Sequence, residues 1–294
     1  MNSVIMESIV MGLIFSILTI GVVITFKILD FPDMSVEGTF PLGAFAFAKM
    51  LTLGMNPVLA MVVSLAAGGL GGYITYILFR KFKIQAILAG ILTMTFLYSV
   101  NLRITGTPNV TFFDYKTIFQ LFESLPKMLI LAIITLVIKL ILDWFLKTEK
   151  GYLLLATGDN ETLVKSLGKN PDKYIAIGLV ISNALAALAG ALMAQSNGYA
   201  DITMGQAIIV SALASVIIGD AFLKNANFLN RTTRAIIGAI IYRIIYGIAL
   251  YLGLAPSDLK GITAIIVVFF IVYNNVSSKG LSVLKGKREE NAKN

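Results

Sequence analysis

The 294 residues contain no histidine and no cysteine, which removes imidazole and thiolate metal sites, Ser-His-Asp triads and HExxH motifs. The chemistry that remains belongs to carboxylates, hydroxyls and carboxamides gathered in a few stretches. The densest is Leu29-Asp30-Phe31-Pro32-Asp33-Met34-Ser35-Val36-Glu37-Gly38-Thr39-Phe40-Pro41-Leu42-Gly43, which sets three acids, two prolines and two glycines between apolar runs. Proline and glycine interrupt the helical ladder and free backbone groups, which lipid tolerates only inside protein or beside water. Carboxylates at that depth are costly and tend to face a pathway. Asp33, Ser35, Glu37, Gly38 and Thr39 are therefore candidates to line a solute route, with Asn101 and Asn183 from two other apolar runs. The competing reading is an interfacial loop whose acids sit in water.

A second polar stretch runs from Gly151 to Pro171. Asp159 can cap a short helix there, Glu161 suits its first turn, and Gly168 with Pro171 ends it. Leu163, Val164 and Leu167 form an apolar stripe on that helix. A helix of about ten residues is marginal alone, so it must pack on its own domain, on headgroups or on a cytoplasmic partner. Asp220 and Arg243 are the costly charges inside apolar runs, and the expectation is that they pair with each other or with Asp143. No GxxxxGK[ST] phosphate loop occurs, so ATP is not bound by that route.

The elements that must hold these residues are membrane helices. Of the residues, 57% are hydrophobic and only 14% charged, against about 25% charged in a soluble domain, and the mean hydropathy is +0.84. Apolar runs fall at about 8–26, 39–55, 57–79, 85–102, 128–146, 174–195, 205–223, 235–253 and 261–276. Most reach the length of a membrane span, and none shows the short alternation of a membrane β-barrel. The expectation is an all-α integral membrane protein of about nine transmembrane helices. The runs 39–55 and 205–223, rich in glycine and small polar residues, can be broken or re-entrant. Glycines 68, 69, 71 and 72 and the small residues 186–191 suit close helix packing.

With the N-terminus outside and all nine runs crossing, 17 Lys and Arg residues lie in cytoplasmic connections and 5 in outer ones. That bias sets the sides of the major loops and accounts for the net charge of +8 through topology and headgroups rather than nucleic acid. Glu7 and the lack of Lys or Arg before the first run mark it as a retained helix, not a signal peptide. Asp33-Met-Ser-Val-Glu-Gly38 is echoed by Asp201-Ile-Thr-Met-Gly-Gln206, on the opposite side of this topology. Such an echo suits an inverted repeat: 8–102, a linking helix at 128–146, then 174–276 upside down. The cytoplasmic loop 147–173 and tail 277–294 complete a single transmembrane domain, 1–294.

The same residues carry a resemblance. Asp33 to Gly38 resembles the Asp-Leu-Ser-Val-Gly element of ribose-type permeases, with Met34 for leucine and Glu37 inserted. Ala156-Thr-Gly-Asp-Asn-Glu-Thr-Leu-Val-Lys-Ser-Leu-Gly168, with the small-residue run Tyr174 to Ala191, is similar to their coupling loop and following helix. Val216-Ile-Ile-Gly-Asp220 resembles their Val-Val-x-Gly-Gly element, with Asp220 for the second glycine. Over about 25–280 the chain resembles permease subunits of ABC importers of the branched-chain amino acid and ribose type, most of all those assigned to tryptophan or tyrosine uptake.

The resemblance implies a coupling helix formed by Gly158, Asp159, Asn160, Glu161, Leu163, Leu167 and Gly168 and seated in a cytoplasmic ABC ATPase subunit, which would hold the ATP and Mg. This chain itself is then expected to carry no cofactor, no metal and no enzymatic activity. It further implies a second permease copy, an extracytoplasmic solute-binding protein, a bacterial plasma membrane location among lipid, and import of a small amino acid-like solute. An ion-coupled secondary transporter using Asp33 or Glu37 is the rival reading.

Overall fold

The computed structural model describes residues 2–223 and 229–254, with isolated positions 258, 261, 265 and 268. Helix α1 (Asn2–Val22) continues as a π-helical turn, Val23–Ile28, and after a break come α2 (Val36–Thr52), α3 (Pro57–Arg80) and α4 (Ala86–Thr105). The next connection holds β1 (Asn109–Thr111) and the short α5 (Ile118–Leu121), then α6 (Lys127–Leu146). Helices α7 (Glu149–Asp159) and α8 (Glu161–Ser166) precede α9 (Pro171–Asn197). Strand β2 (Tyr199–Asp201), a 3-10 turn over Ile202–Gly205, α10 (Ile208–Phe222) and α11 (Arg231–Tyr251) follow.

Eight of the nine apolar runs are thus occupied by helix. The ninth, 261–276, and the tail 277–294 lie outside the described residues apart from the isolated positions named. Among the described residues seven segments are long and apolar enough to cross a membrane: Val4–Ile28, α3, α4, α6, α9, Ile202–Phe222 and α11. Helix α2, 17 residues of which 13 are buried, falls short of the roughly 20 that a straight span needs. The chain is an all-α membrane protein with one small departure: β1 and β2 pair antiparallel, Asn109 opposite Asp201 and Thr111 opposite Tyr199.

Two helices start at the same dipeptide. Asn56 and Asn170 cap α3 and α9 by accepting from the N–H groups of Val58 and Asp172, each at 2.9 Å, and the prolines that follow occupy the first helical position, where no N–H is required. The expected small-residue packing is present. A Cβ on Gly72 of α3 would overlap the Leu179 carbonyl of α9, and one on Gly68 would overlap Asn183. Without side chains there, the two backbones close to a distance that dispersion and backbone contacts favour inside a membrane.

The polar ends gather into two faces. On one, Arg80 bonds Glu161 at 2.5 Å and Asp172 at 2.9 Å, Lys27 bonds Asp220, and Lys139, Asn230 and Thr232 converge on Asp143. On the other, Asn109 bonds Asp201, the Ile118 N–H donates to Gln195, and Lys127 donates to the Ser196 carbonyl. The first face carries the residues that the charge bias assigns to the cytoplasm.

The expected pairing of Arg243 with Asp220 or Asp143 is not found. Arg234 approaches Asp220, at 3.9 Å, and Arg243 pairs with neither acid. Nine residues of α-helix separate the two arginines, a rise of about 13 Å, so only the first reaches the polar face.

Candidate functional site

The break between the π turn and α2 folds inward. Asp33 is fully buried, and its Oδ1 accepts from the Ser35 N–H at 3.0 Å and from the Ser35 hydroxyl at 2.5 Å. Asn183 of α9 donates to Asp33 Oδ2 at 2.8 Å and to the Leu179 carbonyl at 3.0 Å. The Thr39 hydroxyl donates to Asn183 Oδ1 at 2.8 Å, and the Ser35 oxygen lies 3.0 Å from the same atom. Four of the residues singled out in the sequence, Asp33, Ser35, Thr39 and Asn183, therefore form one buried network tying the break to α9. They are not in water, and they line none of the cavities described below.

The remaining three take a different place. Glu37, Gly38 and Asn101 line a cavity of about 310 Å³ with Gly205 and Gln206. Asn101 donates to the Gly38 carbonyl at 3.3 Å while its Oδ1 has no hydrogen-bond partner. Pro41 lies inside α2 rather than ending it, so the break is confined to residues 29–35. Lacking an N–H, Pro41 leaves the Glu37 carbonyl without its helical donor. That carbonyl faces Gly205, where any Cβ would overlap both it and the Pro41 ring. The Glu37 carboxylate is directed to the N–H groups of Ala207 and Ile209 at the start of α10. The first turn of α2 and the turn before α10 thus meet at Gly205.

The echo between them extends to their wiring. Asp201 Oδ1 accepts from the Thr203 N–H at 2.8 Å and hydroxyl at 2.5 Å, and Oδ2 accepts from Asn109 at 3.0 Å. This is the arrangement of Asp33 with Ser35 and Asn183. Partial burial works against the charged form of Asp201, but the hydrogen bonds from Thr203 and Asn109 outweigh it and hold the carboxyl below its usual range.

A larger cavity, about 650 Å³, lies between α1, α2, α9, α10 and α11 and includes Asp201, Gln206 and Arg243. None of the seven pathway residues picked from the sequence lines it. An arginine inside an apolar run was the available signal, read there as a structural pair.

On the basic face, α8 is shorter than expected and differently capped. Asn160, not Asp159, is the cap, its Oδ1 accepting from Thr162 at 2.9 Å and Leu163 at 3.2 Å. Gly158 and Asp159 belong to the preceding helix α7 and not to α8. The extended backbone at Asn160 separates the two helices, and Gly158 is pressed onto the Ile28 carbonyl where no Cβ fits. Gly168 ends α8 with φ +71°. The apolar stripe divides: Val164 is fully buried, whereas Leu163 and Leu167 are 50% and 60% exposed. Glu161 is anchored to Arg80. Next to it, the Lys169 ammonium hydrogen-bonds Glu149 at 2.9 Å, which lowers the Glu149 carboxyl and raises Lys169.

A bundle of seven membrane-length helices among the described residues, with a broken segment bonded into it, is the build of a multi-pass transport protein of the plasma membrane. The family described as branched-chain amino acid transport system / permease component matches residues 4–272, and the chain belongs to it. Among its relatives, the tyrosine transport system permease protein of Clostridioides difficile is 45% identical over 90% of each chain. An uncharacterized protein of Rickettsia prowazekii is 37% identical, covering 90% of this chain and 94% of that one. The ribose import permease RbsC of Haemophilus influenzae is 29% identical over 79% of this chain and 70% of that one. Among solved structures, PsaBC from Streptococcus pneumoniae in complex with Fab aligns with 81% of this chain and 88% of that chain at 17% identity and a TM-score of 0.42, too loose a likeness to bear on the fold.

Proposed function

We propose that this chain is the membrane-spanning subunit of an ATP-binding-cassette importer that carries an amino acid, an aromatic one foremost, by alternating access. The observation that carries this reading is α8, a capped and ion-paired helix on the basic face that leaves Leu163 and Leu167 bare in a transport permease. A partner ATPase holding ATP and Mg would seat on those two leucines. Arg80 ties α8 to α3 and to Asp172 at the start of α9, so a push on α8 reaches the closely packed α3–α9 pair. From α9, Asn183 carries it to the interrupted segment at Asp33.

The matching Asp-Ser-Asn and Asp-Thr-Asn arrangements favour an inverted repeat of four helices and four around α6 as the frame for that motion. The working unit in this reading is a homodimer with two ATPases, supplied by an extracytoplasmic binding protein on the β1–β2 face. The amino acid cargo is taken from the tyrosine permease relative.

Reconstitution in liposomes with the ATPase tests the proposal: uptake of tyrosine should require ATP. Uptake by this chain alone, driven by an ion gradient and indifferent to ATP, would replace it with the ion-coupled carrier.

A further inference from the structure

Arg243 sits in a membrane-spanning helix, and no described residue supplies it with a counter-charge. Its Nε is buried without a hydrogen-bond partner, and no carboxylate among the described residues comes within ion-pairing distance. What surrounds it is aromatic. The guanidinium carbon lies 3.3 Å from the Phe15 ring centroid, 5.2 Å from that of Tyr246 and 6.0 Å from that of Tyr242. Phe40 follows behind Phe15, centroid to centroid 6.4 Å. Stacking on rings supports the flat faces of a guanidinium and leaves its in-plane donors to be met by something else. An unpaired charge at this depth is costly, and the arginine opens onto the 650 Å³ cavity, whose wall also carries Asp201. That volume is within the range of small-ligand sites.

We propose that this cavity is a solute site within the permease itself, in which Arg243 takes the α-carboxylate of an aromatic amino acid. The planar fork of the guanidinium matches a carboxylate in two parallel hydrogen bonds. The Phe15, Phe40, Tyr242 and Tyr246 rings offer the solute's own ring edge-on or stacked contact. Asp201, kept ionised by Thr203 and Asn109, is the acid on the same cavity wall for the ammonium group. The inference rests on the amino acid-importer reading above and adds to it a specificity that acts after the binding protein has released its cargo.

The test is equilibrium binding of radiolabelled L-tyrosine to the purified full-length permease in lipid nanodiscs, without binding protein, with tyramine and 3-(4-hydroxyphenyl)propionate as competitors. Wild-type protein should prefer tyrosine over tyramine, which lacks the carboxylate, by about ten- to a hundredfold. Arg243→Gln should bind tyrosine no better than wild type binds tyramine, and Arg243→Lys should fall between. Because the analogue comparison uses the unaltered protein, it decides the matter even if Arg243→Gln does not fold. Equal competition by tyramine, no saturable tyrosine binding, or unchanged affinity in a folded Arg243→Gln protein would each overturn the site. If ATP-driven tyrosine uptake persists in those cases, the importer reading stands without it. If the complete assembly moves no amino acid, both fall together.

Discussion

Asn183 is the residue on which the buried network turns, donating to Asp33 and accepting the hydroxyl proton of Thr39. Asn183→Ala leaves a buried carboxylate short of a donor and the Thr39 hydroxyl short of its acceptor on α9. It should destabilise the protein by about 1.5–3 kcal/mol, read as a lowered thermal midpoint in detergent, while Asn183→Asp would set two acids together and cost more. The members of this network were identifiable in the sequence because polar side chains in apolar runs are rare and costly. Their mutual bonding was not, since it depends on how far α9 is rotated toward the break. Arg243 shows the same limit from the other side. Its cost was evident, but an acid nearby in sequence order was not the group in front of it.

At the scale of elements, α8 separates two roles that one apolar stripe had merged. Replacing Leu163 and Leu167 together by Asp should abolish co-purification with the ATPase and leave the permease monodisperse, because both side chains are exposed. Val164→Asp should instead prevent folding, since a charge would enter the core. The cap gives a finer contrast. Asn160→Ala should weaken α8 by about 1 kcal/mol, visible as faster hydrogen exchange over residues 161–166, whereas Asp159→Ala should change it by no more than about 0.5 kcal/mol. Asp and Asn cap equally well in principle, and only the extended backbone at Asn160 decides between neighbours. Helix α7 is absent from the sequence reading, and its two glycines, Gly151 and Gly158, are residues that disfavour a helix interior. Both in fact lie where α7 crosses other backbone, against Phe145 and Ile28. The β1–β2 ribbon, three residues a strand, lies below what alternation reveals.

For the whole molecule, the lack of cysteine makes the sidedness directly measurable. Single cysteines at Lys165 and Asp114 should label from opposite sides of intact cells, Lys165 only from within and Asp114 only from outside. Reversal would invert the charge-bias topology and take the ATPase contact with it. Hydropathy located the helices well but not their depth in the bundle. Within Val4–Ile28 an 18-residue stretch has a mean hydropathy of 2.6 and is 83% buried in protein, while the corresponding stretch of α6, at 2.5, is 22% buried. Lipid tails and protein interior are equally apolar, so the two helices look alike as strings of residues.

That contrast has a consequence for biogenesis. Helix α1 leaves the ribosome before the other described helices yet is finally walled in, and part of its wall is α11, which emerges more than two hundred residues later. The nascent chain must therefore hold α1 in the translocon or in lipid while these neighbours arrive. Synthesis stalled before Arg231 would strand an unsheathed helix as a substrate for membrane quality-control proteases.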